Sequence, residues 1–306
     1  MKAVFCTGYG SPAVLQLRET EKPVPKENEI LVRIFSTCVN SGDVVVRGLA
    51  VKGFMKIVMR LVIGFTRPRK PILGTVFSGT VERIGGNVTG FKPGDRIFGM
   101  TGFRFGTHAE FLTINENGSV IKMPDGATYD EAASWVFGGH TAIHFFDKMK
   151  LAQSPGARIL ILGATGAVGT AAIQIAQYYG LTVTAVCSSA GRDLVESLGI
   201  TDILLYDREN YLDQSRQFDF IFDAVGKTTP KQCAPLLKKG GIYQSVAGME
   251  SASESKHQLE LLKTMFEKGQ LKSVIDKTYR LDEMVAAHTY VDTGRKKGNV
   301  VIRVIE

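Results

Sequence analysis

The sequence has few cysteines, no long apolar run, and one long window without acidic residues. Its four cysteines, Cys6, Cys38, Cys187 and Cys233, are far apart and form no Cys-x-x-Cys pair. This spacing argues against a zinc knuckle and against a disulfide framework. No stretch of about 18 uncharged apolar residues occurs, which argues against a membrane-spanning helix. The opening MKAVFCTGYGSP lacks the apolar core of a secretory signal, so we expect a cytoplasmic protein.

Acidic residues are absent between Val44 and Val81, a window that holds seven basic residues. The net charge of +7, from 37 basic and 30 acidic residues, therefore belongs to this one segment. Such a local excess does not predict a nucleic-acid-binding surface. Within the window, basic residues recur every fourth position from 52 to 60, which predicts an amphipathic helix. Packing on its own protein is the expectation for 52–65, and a weak contact with an anionic membrane surface or an acidic partner is the alternative.

The chain has 306 residues, 44% hydrophobic and 22% charged, which is typical of a globular protein with two domains. Short strands with frequent glycine turns fill roughly the first 125 residues and indicate a mainly antiparallel β domain. Beyond them, helices alternate with apolar strands such as ARILILG, TVTAVC and FDFIFDAVG, which predicts a parallel sheet covered on both faces. We therefore predict an α/β fold in which a domain of residues 125–272 interrupts a β domain of residues 1–124 and 273–306. The segment APLLKKG is predicted to be helical.

A glycine-rich turn joins the strand ARILILG directly to a helix. The turn consists of Gly163, Ala164, Thr165, Gly166, Ala167, Val168 and Gly169. In a strand–turn–helix context, Gly163 allows the tight turn, Gly166 leaves room for a pyrophosphate, and Gly169 lets the helix approach the sheet. The helix N-terminus adds free N–H groups and a partial positive charge for the phosphates. The sequence therefore predicts a dinucleotide site.

The end of the strand TVTAVC bears on which dinucleotide binds. Sites for NAD usually place a carboxylate about 20 residues into the motif, where it holds the ribose 2′-hydroxyl. The corresponding position is Cys187, followed by Ser188, Ser189 and Arg192. With no carboxylate there, two hydroxyls and a guanidinium can bind a 2′-phosphate. We therefore expect NADPH (NADP as the oxidised form) in preference to NADH, with Tyr206 as a further candidate for the same pocket and a solvated Arg192 as the alternative.

Several motifs in order resemble the medium-chain dehydrogenase/reductase superfamily, and within it the zinc-free quinone oxidoreductase branch. Besides the glycine turn they are the opening MKAV, VNSGDVVVRG, HAEF, GGHTAIH, FDFIFDAVG and the terminal KKGNVVIRV. The resemblance covers nearly the whole chain. It implies a GroES-like β domain that the C-terminal tail completes, an inserted doubly wound Rossmann domain, and an active site in the cleft between them. It also implies a homodimer formed through the edge of the Rossmann sheet.

Zinc-dependent members of the superfamily hold the catalytic metal at positions that match Asn40, Thr75 and Phe137, and none of these is a usual zinc ligand. We therefore expect no zinc. Without a Lewis acid, oxidation of an unactivated alcohol is disfavoured. A quinone or an α,β-unsaturated carbonyl accepts hydride more readily, because the charge moves onto an oxygen that a hydrogen bond can stabilise. The predicted activity is zinc-independent, NADPH-dependent transfer of hydride to such an apolar small molecule.

The resemblance also implies roles for individual residues. Asn40 is expected to bind the substrate carbonyl or the cofactor, Asp43 to orient its neighbours, and Thr141 to contact the nicotinamide end. The alternatives are a turn-forming Asn40 and a Thr141 hydroxyl bonded within its own helix. Further cofactor contacts are expected at the ends of two later strands and in the C-terminal tail, at Val225, Gly226, Val246, Ala247 and Asn299.

Two other activities stay open. The first is enoyl-thioester reduction. Members with that activity carry a tyrosine, as proton donor, soon after the motif that contains Asp43. Here Val44 to Arg47 follow Asp43 instead, so we expect water to supply the proton. The second is a cofactor-binding protein with little turnover that acts in redox sensing or with RNA. The unusually apolar segment from Gly48 to Pro71 suggests a lid over a hydrophobic acceptor.

Overall fold

A computed structural model describes residues 1–51, 53–212, 215–248, 252 and 254–305. The chain divides into two compact units. The first unit comprises Met1–Val136, Glu254–Glu260 and Ile275–Glu306, and the second comprises Phe137–Ser253 and Leu261–Val274. The predicted fold class, a mainly antiparallel β domain with a doubly wound α/β domain, is confirmed. The predicted bounds of the two domains stay a prediction.

The strands are β1 (Lys2–Cys6), β2 (Leu15–Glu19), β3 (Glu29–Val39), β4 (Val76–Ile84), β5 (Arg96–Met100), β6 (Phe111–Asn115), β7 (Val120–Lys122), β8 (Arg158–Leu162), β9 (Thr182–Cys187), β10 (Ile203–Leu205), β11 (Phe218–Asp223), β12 (Leu237–Ser245), β13 (Ile275–Arg280) and β14 (Asn299–Arg303). The α-helices are α1 (Ser41–Gly48), α2 (Phe54–Ile63), α3 (Tyr129–Met149), α4 (Ala167–Tyr178), α5 (Arg192–Ser197), α6 (Pro230–Cys233), α7 (Lys256–Glu267) and α8 (Met284–Asp292). Short 3-10 turns lie at Pro12–Val14, Gly102–Arg104, Leu151–Gln153, Ser189–Gly191, Ala234–Leu236 and Leu281–Glu283.

The second unit contains a parallel sheet in the order β10-β9-β8-β11-β12. Its central strand β8 is apolar and buried from Ile159 to Leu162, because both faces of the sheet are covered there. The chain leaves β8 toward β9 on one side, and β11 adds on the other side. The order therefore reverses at β8, and a crevice for a ligand forms at the carboxyl ends of strands at such a point.

The first unit contains a sheet in the order β13-β14-β3-β4-β5-β7, with β6 also paired to β3. All its pairs are antiparallel except β13 with β14. The tail strand β14 pairs with β3, with Val300 opposite Val39, so the predicted return of the C-terminal segment to the first domain is confirmed. A core of aliphatic and aromatic side chains, including Phe77 and Ile97, packs on this sheet.

The helix predicted over APLLKKG is wrong, because only Ala234–Leu236 form a helical turn and Leu237 already pairs with Phe218 as the first residue of β12. The helix predicted within 52–65 is present as α2, although Lys52 lies outside the described residues. Within the part of the chain that the structure describes, no helix is both long enough and apolar enough to cross a membrane.

Candidate active site

The glycine turn joins β8 to α4 in the second unit. Both Gly163 and Ala164 donate their backbone N–H groups to the carbonyl of Val186 in the neighbouring strand β9, at 3.1 Å each. Gly166 is the N-cap residue of α4, and no side chain caps this end of the twelve-residue helix. The N–H groups of the first helical turn lack partners within the helix. They therefore offer donors, and the positive end of the helix dipole, to an anion.

The three glycines of the turn have different reasons to be glycine. Gly163 has a φ of +73°, and a Cβ there would collide with a methyl group of Val225. A Cβ on Gly169 would lie 2.8 Å from the Cα atom of Ala164 and even closer to the carbonyl oxygen of Gly163. At Gly166, by contrast, a Cβ would meet only that oxygen, at 3.7 Å. The space over Gly166 is therefore open, as a phosphate that approaches the backbone requires.

The loop after β11 is organised by Asp223, a residue that the sequence analysis did not single out. Its buried carboxylate accepts backbone N–H groups from Val225 at 3.1 Å, Gly226 at 2.9 Å and Thr228 at 2.7 Å. This arrangement holds Val225 over Gly163. The signal was an acidic residue directly after the apolar run Phe220–Phe222 at the end of β11.

The predicted contacts after β12 lie close to this loop. Val246 donates its N–H to the carbonyl of Asp223, at 3.0 Å. A Cβ on Gly226 would lie 3.0 Å from that of Ala247. The structure thus brings Val225, Gly226, Val246 and Ala247 together beside the glycine turn.

At the other end of the crevice, the structure corrects a premise of the sequence analysis. Ser188 and Ser189 follow β9 as predicted, but a carboxylate is present there after all. Asp207, two residues beyond β10, accepts the N–H of Ser189 at 2.8 Å and its hydroxyl at 2.6 Å. Arg192 forms an ion pair with Glu196 at 2.7 Å on the surface of α5. Tyr206 is exposed and donates its N–H to Cys187, at 3.0 Å.

In the first unit, Asn40 and Asp43 form a buried pair at the junction of β3 with α1. The carboxylate of Asp43 accepts the N–H of Asn40 at 2.8 Å and that of Gly74 at 3.1 Å. The side-chain nitrogen of Asn40 is also buried, and among the described residues no hydrogen-bond acceptor serves it. Because buried donors are nearly always satisfied, an orphaned one is a candidate for ligand binding. The tail strand β14 comes close to this pair, because Val300 lies opposite Val39, the residue before Asn40.

Burial dominates the electrostatics around this pair. It raises the pKa of Asp43, against the effect of nearby His108 and of the two backbone N–H donors. Burial also lowers the pKa of His108, whose Nε2 lies 3.3 Å from the carbonyl oxygen of Cys38. The fixed, buried position of Asp43 suits a group that orients Asn40.

Thr141 lies in the middle of α3 and donates its hydroxyl to the carbonyl of Phe137 at 2.8 Å. This bond within its own helix is the alternative that the sequence left open. The oxygen of Thr141 retains its capacity to accept a hydrogen bond.

The helix α2 packs Met59 and Ile63 against the core of the first unit. Ile57, Leu61 and Val62 are exposed by 55%, 57% and 66%, and Phe65, just beyond the helix, by 64%. Its outward surface is therefore more apolar than a solvated helix requires.

Metal ligands are not clustered in the described residues. No group of three or more His, Cys, Asp or Glu side chains is placed there to hold a metal ion.

Comparisons with known proteins agree with the fold. Residues 26–125 match the alcohol dehydrogenase GroES-like domain, and residues 167–290 match the zinc-binding dehydrogenase domain. A 2-methylene-furan-3-one reductase of Solanum lycopersicum is 31% identical over 325 residues, covering 100% of this chain and 79% of the relative. The human mitochondrial NAD(P)H oxidoreductase RTN4IP1 is 29% identical, covering 100% and 89%. The structure of a quinone oxidoreductase from Coxiella burnetii superimposes with a TM-score of 0.89 at 26% identity, covering 100% and 99%.

Proposed function

This chain belongs to the medium-chain dehydrogenase/reductase superfamily, quinone oxidoreductase-like, and from that premise we propose that it passes hydride from a reduced nicotinamide dinucleotide to a quinone or an activated alkene without zinc. It is an NAD(P)H-dependent oxidoreductase, and its human relative RTN4IP1 is named as one. The observation that carries the proposal is the open space over Gly166 beside the uncapped N-terminus of α4.

The residues of the second unit fit a dinucleotide. The N–H groups of Ala167, Val168 and Gly169 hold the pyrophosphate, and the loop that contains Val225 and Gly226 borders the same crevice. Ser188, Ser189, Arg192 and Tyr206 lie at the adenosine end. When bound, the cofactor supplies a hydride. The NADPH preference stays a prediction, although its premise, the absence of a carboxylate beside Ser189, is wrong.

At the reacting end, Asn40 donates its amide N–H to the carbonyl oxygen of the acceptor. Negative charge develops on that oxygen as the neighbouring carbon system accepts hydride, so a fixed donor stabilises the transition state more than the ground state. Asp43 holds the backbone of Asn40 in place. Water supplies the proton, Thr141 contacts the nicotinamide end, and Asn299 supports the site from the tail.

A catalytic zinc does not fit the residues that match the metal-binding positions of zinc-dependent relatives. An amide, a hydroxyl and a phenyl ring stand at Asn40, Thr75 and Phe137, whereas zinc takes thiolate, imidazole and carboxylate ligands. The proposed mechanism therefore uses no metal. An acceptor that is already electron-poor needs no Lewis acid.

The finer predictions belong to the same proposal. The exposed apolar side chains of α2 support an apolar acceptor, with 52–65 acting as a lid or as a weak membrane contact. Deletion of Lys52–Phe65 should then slow turnover of bulky acceptors more than that of small ones. Unchanged turnover of both kinds of acceptor would rule out the lid. We also propose a cytoplasmic homodimer, although one relative carries a mitochondrial name.

The experiment mixes the purified, chelator-treated protein with NADH or NADPH and a panel of quinones and enones, and follows the loss of nicotinamide absorbance. Acceptor-dependent oxidation, slowed in the Asn40→Ala variant, supports the proposal. Tight nucleotide binding without oxidation of any acceptor would instead favour a cofactor-binding protein with little turnover. Stoichiometric zinc whose removal abolishes activity would contradict the metal-free mechanism.

A further inference from the structure

The carboxylate of Asp207 lies where a dinucleotide site distinguishes its two cofactors. The strands β10 and β9 run parallel, with Leu205 opposite Cys187, so their carboxyl ends lie side by side. This pairing brings Asp207, which follows β10, against Ser189, which follows β9. The two residues are 18 positions apart in the sequence, and this separation hides their contact from a motif search.

Both donors of Ser189 are already used by this contact. One oxygen of Asp207 accepts its backbone N–H at 2.8 Å, and the other accepts its hydroxyl at 2.6 Å. These hydrogen bonds lower the pKa of Asp207, so its side chain is ionised at neutral pH. A 2′-phosphate would have to compete with a carboxylate for the same N–H and O–H groups.

The turn that carries Ser189 packs on the glycine turn. A Cβ on Gly191, the last residue of that 3-10 turn, would lie 2.5 Å from a methyl carbon of Thr165. The turn and the phosphate cradle are therefore contiguous parts of one surface. The pair formed by Asp207 and Ser189 lies on the side where the adenosine ribose follows the pyrophosphate.

The neighbouring cations leave the Asp207 side chain ionised. Arg192 is paired with Glu196 at 2.7 Å on the solvent side of α5. Arg208 follows Asp207 directly, and its positive charge contributes to the low pKa of the carboxyl group. A phosphate at Ser189 would thus lie beside an ionised carboxylate.

We propose that Asp207 is the residue that sets cofactor preference, by accepting a hydrogen bond from the ribose 2′-hydroxyl of NADH and repelling the 2′-phosphate of NADPH. This inference rests on the proposed function, because it assumes that a nicotinamide dinucleotide occupies the crevice. It reverses the preference that the sequence alone predicts. A carboxylate discriminates in this way because it attracts a hydroxyl donor and opposes a second anion.

The test is calorimetric titration of the full-length protein with NADH and with NADPH at fixed ionic strength, without any acceptor. The Asp207→Asn variant removes the charge but keeps an oxygen that can accept the N–H of Ser189. The control, Asp193→Asn, removes an exposed carboxylate of α5 that has no hydrogen bond to Ser189. The wild-type protein and the control should bind NADH at least about tenfold more tightly than NADPH. Asp207→Asn should shift the ratio of the two dissociation constants toward NADPH by about tenfold.

Each outcome decides between the possibilities. Tighter binding of NADPH by the wild type, or an unchanged ratio in Asp207→Asn, would overturn the inference and leave the proposed function standing. Failure of the wild type to bind either nucleotide would overturn both. Thermal unfolding of each variant shows whether it is folded, and Asp207→Ser serves as the second variant if Asp207→Asn is not.

Discussion

The glycines of the turn after β8 allow the fold to be separated from ligand binding with two single-methyl substitutions. Gly166→Ala and Gly169→Ala differ by three positions in the chain and add the same atom. Gly166 has an extended backbone, with φ −76° and ψ 171°, which any residue adopts. The added methyl at Gly166 points into open space, whereas at Gly169 it collides with the backbone of the turn.

The two variants should therefore fail in different ways. In Gly166→Ala, the loss of a good N-cap residue and the reduced entropy of the unfolded chain nearly cancel, so the free energy of unfolding should change by less than about 1 kcal/mol. The methyl should displace a phosphate from the N–H groups of α4. Losing one hydrogen bond to a charged group costs about 1.5–3 kcal/mol, which is roughly a ten- to hundredfold rise in Kd.

Gly169→Ala should behave in the opposite manner. The oxygen of Gly163 and the Cα of Ala164 are backbone atoms, so they cannot move aside as a flexible side chain would. Overpacking of this kind costs about 1–3 kcal/mol, beyond the gain of alanine over glycine in a helix. The variant should therefore unfold at lower urea concentration.

Urea unfolding and calorimetric titration with NADH measure the two effects separately. A Gly166→Ala variant that binds NADH as tightly as the wild type would refute the assignment of the open space to the pyrophosphate. A Gly169→Ala variant that is as stable as the wild type would refute the packing argument.

Three further predictions concern the first unit. Asn40→Ala should lower kcat at least about tenfold. The free energy of unfolding should fall by no more than about 2 kcal/mol, because the variant loses the N-cap residue of α1 but the lost N–H donor has no acceptor in the described structure. Steady-state kinetics and urea unfolding measure the two effects. Asp43→Asn should lower the free energy of unfolding by about 1–3 kcal/mol, because one amide oxygen must replace the two carboxylate oxygens that accept the N–H groups of Asn40 and Gly74. Unchanged urea unfolding would contradict this. His288 faces the ring of His108 and the charge of Arg47, and mainly burial lowers its pKa from 6.5 to about 2. Below pH 6.5 the unfolded chain then binds a proton that the folded chain does not, so stability present above pH 6.5 is lost as the pH falls. His288→Phe should reduce the slope of the free energy of unfolding against pH by up to about 1.4 kcal/mol per pH unit. Identical pH profiles of the two proteins would contradict the assignment.

The glycine turn was predictable because everything that defines it is local. A buried strand, three spaced glycines and a helix follow one another between residues 158 and 178, and each glycine corresponds to one steric need. The return of the tail to β3 was predictable from the family resemblance and its apolar pattern.

Other features depend on contacts that the linear pattern does not contain. The meeting of Asp207 with Ser189 requires the register of β10 against β9, and a strand of three residues carries too little pattern to fix a register. The orphaned donor of Asn40 depends on where acceptors lie in three dimensions. In APLLKKG, pairing with β11 draws Leu237 into a strand despite an apolar sequence compatible with a helix.

Direct hydride transfer is the central claim, and isotope labelling tests it most directly. The chelator-treated protein is given NADH that carries deuterium at the transferring position of nicotinamide C4, together with an enone, and the product is analysed by NMR. The account predicts deuterium on the β-carbon of the reduced product, with the proton on the adjacent carbon coming from water. A reduced product without deuterium, obtained with either C4 stereoisomer of the labelled cofactor, or reduction that occurs only after zinc is added, would contradict it.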